Sequence, residues 1–285
     1  MRKLIYILLS VAVCWFAADC ARAAELHVPQ NAVAGQPMTI RVEGSGTLYL
    51  IGPGQVIKRE FKSGSVEIKG EELRSAGRWI AALAGGRESQ VFWVKAGNPE
   101  KLNFLARPSR VPVARQNVIS GVAFVFDKNQ NLVLEPTPVN FKLSVGGTAI
   151  AKSVTSRSGV AWTRSNSASK AGAAQFVASA ENTSVNRVVQ QVAADPCERN
   201  LRMRVAGRSA DKITVATDPI LDCSGNPVPD GTIVTFIQID KSGKSTVDAR
   251  IKKGSARADL PASDNATITV AAGVVLGNEL HVGGK

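Results

Sequence analysis

The chain has 285 residues, 44% of them hydrophobic, with 35 Lys and Arg against 23 Asp and Glu and a formal charge of +12. That length exceeds what one ordinary domain requires, and 25 Gly and 13 Pro punctuate it too densely for long helices. Two histidines and four cysteines leave little material for a metal centre or for His- and Cys-based catalysis.

The opening, MRKLIYILLSVAVCWFAADCARAAE, reads as a secretory leader. Arg2 and Lys3 form a basic start. Leu4–Ala18 is an apolar run of about 15 residues, short for a membrane span. Ala21-Arg22-Ala23 then offers small residues for a cut before Ala24, so residues 1–23 are expected to leave as a signal peptide. An uncleaved anchor is the alternative. Asp19 before Cys20 and Val13 before Cys14 argue against lipidation. No later apolar run is long enough to span a membrane, and the HVGGK end carries no sorting signal. The expected product is extracytoplasmic: periplasmic, secreted, or held noncovalently at the cell surface. Cleavage leaves 32 Lys and Arg against 22 Asp and Glu, a net +10. The cations are scattered, with Arg202-Met203-Arg204 and Lys252-Lys253 the densest clusters. They suit either a solvated basic surface or attraction to anionic partners such as lipopolysaccharide, wall polymers or extracellular nucleic acid.

Beyond the leader, apolar and polar residues alternate in short runs: Met38–Val42, Ser65–Lys69, Val139–Leu143, Ile213–Val215 and Ala266–Val270. Period two is the pattern of half-buried strands. The best helical candidate, Gly70–Ser75, is about one turn long. Strands this short and this frequent predict antiparallel β-sandwiches.

The segment 127–141, DKNQNLVLEPTPVNF, is echoed 95 residues later by DCSGNPVPDGTIVTF at 222–236. Asp127 falls on Asp222, Asn131 on Asn226, Val133 on Val228, Val139 on Val234 and Phe141 on Phe236. At the same offset SRSGVAW (156–162) lies over IKKGSAR (251–257). AAQFVASA (173–180) and ATITVAAG (266–273) correspond after a two-residue deletion. Two tandem copies suit two tandem sandwiches. Asp and Asn bond local backbone in a tight loop where Asn or Gly takes positive φ. Val-x-Phe places both side chains on the core face of the next strand. The repeat is thus a fold signature, and none of its members needs a chemical role.

The pattern Asp222, Gly225, Asn226, Pro227, Val228, Pro229, Gly231, Val234 and Phe236 resembles the loop-and-strand signature of bacterial Ig-like group 1 domains, found in invasins and intimins. The copy at 100–194 is looser, with Gln130 where Gly is usual and Glu135-Pro136 in place of the Pro-Gly neighbourhood. The resemblance covers roughly residues 100–283 and implies a rod-like extracytoplasmic array. It does not imply adhesion, because that family's receptor contacts lie in specialised end domains. Residues 25–97 do not follow the offset. Yet Ser75–Ala81 resembles the corner leading into strand F of Ig domains, with Ser75 at the Asp position, Trp79 at the Tyr and Ala81 at the Cys. The expected organisation is all-β, three tandem Ig-like antiparallel sandwiches: a leader at 1–23, a small sandwich at 24–98, and invasin-type domains at 99–194 and 195–285.

After leader cleavage only Cys197 and Cys223 remain. They are too far apart for a CxxC redox pair and too few for a four-ligand zinc site, and an even pair in an oxidising compartment predicts a disulfide. In an Ig sandwich the start of strand A and the B–C loop share one end, which would bring the two together. Other chemical signals are thin. GKST at 243–246 lacks the first Gly of a phosphate loop, where Gln238 stands. Asp127, Asn129 and Asn131 begin like a calcium loop, but Leu132 and Pro138 occupy its Gly and Glu positions. A hydrogen-bonded turn is the stronger reading, with a weak calcium site at a joint the alternative. His27 and His281 stand at opposite ends of the chain. Nothing predicts a catalytic residue, a cofactor or a resident metal.

Trp79, Phe92, Trp93 and Phe141 are expected in cores. Trp162 is different, because its counterpart is Arg257, so this position faces solvent in at least one copy. Between Arg157 and Arg164, Trp162 is either a binding element for sugar or protein or a cover for a sheet edge. The flexible stretch 164–172 offers further contact surface. Three roles follow. One is a noncatalytic adhesion, spacer or scaffolding module at the cell envelope. Another is a periplasmic assembly partner or chaperone working through sheet-edge pairing. The third is a polysaccharide-binding accessory protein. The expected partner is a protein or an anionic envelope polymer, without specific nucleic-acid recognition.

Overall fold

The computed structural model describes residues 25–62, 64–85 and 88–283; the expected leader at 1–23 lies outside the described residues. Among these residues there is no α-helix, only one 3-10 turn at Glu198–Asn200. The stretch at Gly70–Ser75 is a turn closed by the Glu72 N–H on the Lys69 carbonyl and the Leu73 N–H on that of Gly70. Among the described residues no helix is long and apolar enough to cross a membrane.

The first module comprises β1 (Leu26–His27), β2 (Asn31–Val33), β3 (Met38–Val42), β4 (Gly46–Gly52), β5 (Gln55–Phe61), β6 (Gly64–Ile68), β7 (Gly77–Leu83) and β8 (Ser89–Lys95). Sheet β1-β3-β6 packs against sheet β2-β8-β7-β4-β5. The second comprises β9 (Lys101–Arg107), β10 (Arg110–Pro112), β11 (Ile119–Phe126), β12 (Pro138–Val145), β13 (Thr148–Thr155), β14 (Val160–Ser165), β15 (Gly172–Ala180) and β16 (Thr183–Val192). Its sheets are β14-β11-β9 and β10-β16-β15-β12-β13. The third comprises β17 (Met203–Arg208), β18 (Lys212–Thr217), β19 (Ile233–Asp240), β20 (Gly243–Arg250), β21 (Arg257–Pro261), β22 (Ala266–Ala272) and β23 (Val275–Val282). Here the sheets are β17-β18-β21 and β20-β19-β22-β23. The protein is therefore all-β, three Ig-like sandwiches in tandem, each over its own apolar core.

In the first two modules the entering chain serves both sheets. β1 and β9 pair antiparallel in the smaller sheet, after which β2 and β10 run parallel to the last strands, β8 and β16. Among the described residues the third module has no such second piece. There the Asn278 side chain holds the entering chain, accepting the Met203 N–H at 2.5 Å and donating to the Met203 carbonyl at 2.9 Å. Met203 is buried between exposed Arg202 and Arg204, so one of the two densest basic clusters of the sequence is a strand start whose middle residue is core.

The cores follow the period-two pattern. Val139 and Phe141 of β12 and Val234 and Phe236 of β19 are all at most 2% exposed. Trp79 is fully buried, and its indole N–H donates to the Ser75 carbonyl at 2.9 Å, the bond a tyrosine hydroxyl would make at this corner. Gly52 makes room for that ring: a Cβ there would lie 2.3 Å from it.

Trp93 departs from expectation. It is 57% exposed, whereas its neighbour Phe92 is fully buried. Adjacent residues on a strand face opposite sides, so once Phe92 and Val94 point inward, Trp93 must point out.

Candidate functional site: two joint knots and a cationic groove

The recurring Asp and Asn do more than shape a turn. Asp127 is buried between the first and second modules. Its Oδ1 accepts the backbone N–H groups of Asn129 and Asn131 at 2.9 and 2.8 Å, and its Oδ2 accepts those of Gly97 and the Asn131 amide at 2.9 and 2.8 Å. Asn131 then reaches into the first module, donating to the Arg74 carbonyl at 2.7 Å and accepting the Ala76 N–H at 2.9 Å. The second copy repeats this bond for bond. Asp222 accepts from Ser224, Asn226 and Ala194, while Asn226 donates to Ser169 at 2.7 Å and accepts from Ala171 at 2.8 Å. Burial alone would raise the Asp222 carboxyl pKa, but the hydrogen bonds from Asn226, Ala194 and Ser224 outweigh it and hold the group below its ordinary value.

The local half of each knot is the expected Asx turn. The reach across the joint was not legible, because its partners lie 55 and 57 residues earlier in loops without a signature of their own. Positive φ falls on Gln130 (69°) and Gly225 (84°), the residue before each Asn. Around the calcium-like loop both Asp127 oxygens are turned to N–H donors, and among the described residues no His, Cys, Asp and Glu group of metal-binding size occurs. GKST lies at the start of β20, in a strand. His27 and His281 stand apart, each exposed beside a glutamate.

Cys197 and Cys223 form a disulfide with their Cα atoms 4.6 Å apart. The Cys197 N–H also donates to the Leu221 carbonyl at 3.0 Å. The bridge therefore sits directly beside Asp222; in the first copy Lys128 stands at the place of Cys223.

Trp162, Arg157 and Arg164 line one groove of about 1130 Å³ on the second module. The groove opens between β13 and β14, edge strands of opposite sheets joined by the short turn at 156–159. Trp162 is 63% exposed, and Arg164 lies two residues on, on the same outward face of β14. Arg157 comes from the turn and Lys152 from β13, a residue the sequence reading did not single out. No carboxylate lines the groove, and among the described residues none of these three cations has an ion pair. The equivalent groove of the third module, between β20 and β21, is lined by Arg250, Lys252 and Arg257 but also by Asp248 and Asp259. Another, mostly apolar groove at the first joint is lined by residues that include Trp93, Leu132 and Leu134. Strict alternation through Phe92 was the signal that could have placed Trp93 there.

No protein-family model and no curated protein sequence matches the chain. Solved structures do. The Escherichia coli adhesin FdeC aligns with a TM-score of 0.63 at 13% identity, covering 92% of this chain and 97% of that one. InvD of Yersinia pseudotuberculosis gives 0.51 at 11% identity, covering 91% and 97%. Invasin, described as a bacterial integrin-binding protein, gives 0.49 at 13%, covering 89% of this chain and 57% of that one. At such identities the likeness to FdeC and InvD is one of fold alone: tandem Ig-like sandwiches.

Proposed function

We propose that this is an exported, noncatalytic array of Ig-like modules that serves at the cell envelope as an adhesion, spacer or scaffolding element and engages an anionic partner through the Trp162 groove. The observation that carries the reading is an exposed indole that shares one groove with Lys152, Arg157 and Arg164, with no carboxylate in the lining. Three cations in one groove with an exposed aromatic side chain attract anionic groups, which the guanidinium groups can chelate. The tandem fold, shared with an adhesin along nearly its whole solved length, fits such a role. The motif from Asp222 to Phe236 supports invasin-type identity for the second and third modules. Boundaries at 98/99 and 194/195 fit both the repeat and the three separate cores. The leader implies an extracytoplasmic location.

The test is fractionation of the native host into periplasm, outer surface and medium, with and without a high-salt wash, for wild type and Arg157→Ala/Arg164→Ala. Surface protein released by salt, with the double variant already in the medium, is the expected result. Confinement to the periplasm would remove adhesion and favour the second reading, an assembly partner or chaperone. One feature supports that reading: the free edge of β13 beside the groove.

A further inference from the structure

The larger sheets of the three modules end on one side in equivalent edge strands, β5, β13 and β20. An edge strand is a template for pairing with another chain unless charge, bulge or cover defends it. β5 carries Lys58, Arg59 and Glu60, and Arg59 is engaged by Glu72. β20 carries Lys244, Asp248 and Arg250. β13 reads TAIAKSVT, with Lys152 its only charge, and seven of its eight residues are exposed. Ile150 is 45% exposed on a strand rich in small and β-branched residues.

The register shows which groups are free. The hairpin of β12 and β13 closes on Val145 opposite Thr148 across two glycines. In a two-residue hairpin the closing pair exchanges both hydrogen bonds, and the bonded pairs then recur every second residue. Thr148, Ile150, Lys152 and Val154 therefore point their main-chain groups at β12. Ala149, Ala151 and Ser153 point theirs at open solvent, along the rim of the Trp162 groove.

Building on the groove reading above, we infer that β13 is a strand-addition site and that its partner is an extended, acidic segment of a protein. A strand added at β13 takes the free main-chain groups of Ala149, Ala151 and Ser153. It runs through the groove between the two sheets, and its alternate side chains face Trp162, Arg157 and Arg164. Main-chain pairing supplies the affinity and the flanking cations select acidic side chains. The equivalent edge of the third module is less suited to an acidic strand, since Asp248 and Asp259 share its rim with the cations.

The test uses the full mature chain and three probes read by fluorescence anisotropy. The first is a labelled peptide of about eight residues, a common strand length, alternating Glu with Val or Thr. The second is the same peptide N-methylated at alternate residues. The third is dextran sulfate, an anion without a pairing backbone. Ala151→Pro removes only an outward N–H, which edge strands tolerate; Ser153→Pro is the second such variant, and melting curves check that both fold. Peptide binding weaker by about tenfold on N-methylation and in either proline variant, the worth of one or two main-chain hydrogen bonds, with dextran sulfate binding unmoved by the prolines, is expected. Equal binding of both peptides, insensitive to proline but weakened by Arg157→Ala/Arg164→Ala, would overturn strand addition and leave an anionic-polymer groove. Binding of every probe that ignores Arg157 and Arg164 would overturn the groove reading itself.

Discussion

The second and third modules are two tellings of one pattern, and they differ where the pattern has no structural duty. Asp127 and Asp222 sit in knots with the same hydrogen bonds, and Val139 and Phe141 are buried like Val234 and Phe236. At the open side of the sandwich the copies part. Trp162, Arg157, Arg164 and Lys152 meet no carboxylate, whereas Arg257, Arg250 and Lys252 share their rim with Asp248 and Asp259. Asp259 is itself spoken for: bonds from Lys212 at 2.8 Å and Thr214 at 2.6 Å hold its carboxyl below the ordinary value, and Asp259 in turn raises the Lys212 ammonium. What folding requires recurs at the 95-residue offset; what folding leaves free has become a cationic groove in one copy and a rim of mixed charge in the other.

The largest expected difference between the copies is covalent. Replacing Cys197 and Cys223 by Ser should destabilise the third module by roughly 3–4 kcal/mol through loss of the loop constraint and leave the second unchanged. Denaturation followed with and without reductant checks this; equal sensitivity of both modules would break the comparison. The knots predict the opposite outcome. Asp127→Ala and Asp222→Ala each orphan buried N–H donors and should each cost about 2–3 kcal/mol. Asp222 also predicts a pH dependence. Its folded-state pKa is depressed below 3.8, so its stabilisation is present in full above that value and is lost as pH falls through the lower folded value. Melting wild type and Asp222→Asn across this acid range should show the two curves converge.

The knots also show what the sequence could and could not convey. Asx turns and Val-x-Phe strands are local, so alternation and turn chemistry reveal them, and recurrence at a fixed offset confirms that the same fold is built twice. The bonds of Asn131 to Arg74 and Ala76 are long-range, and no residue near Arg74 announces them. Trp93 was misplaced for another reason: counting aromatics toward the core overrode the alternation that Phe92 fixes. Trp162 could be suspected only by comparing the copies, since a solvent-facing strand position carries no pattern of its own. Its neighbour Lys152 was missed because β13 is exposed on both faces. The comparison is sharpened by Trp162→Ala. An exposed side chain away from any core should change stability by no more than about 0.5 kcal/mol, yet weaken dextran sulfate binding several-fold. Arg257→Ala should leave that binding as it was.

The smallest effect tests the repeat at its one backbone discrepancy. Gln130 and Gly225 occupy the same place in the two knots, at φ 69° and 84°. A side chain there costs about 1–2 kcal/mol of backbone strain, offset in part because glycine loosens the unfolded chain by about 0.5–1 kcal/mol. Gln130→Gly should therefore stabilise the second module by about 0.5–1 kcal/mol. Gly225→Gln should destabilise the third by a similar amount, since a Cβ at Gly225 meets nothing within 4 Å and only the backbone resists. Paired denaturant midpoints of the two variants decide the matter. Mirror-image shifts mean the two loops are one energetic object and Gln130 is a tolerated departure. A loss of stability from Gln130→Gly would mean that the exposed Gln130 side chain contributes more to the first joint than its backbone strain takes away.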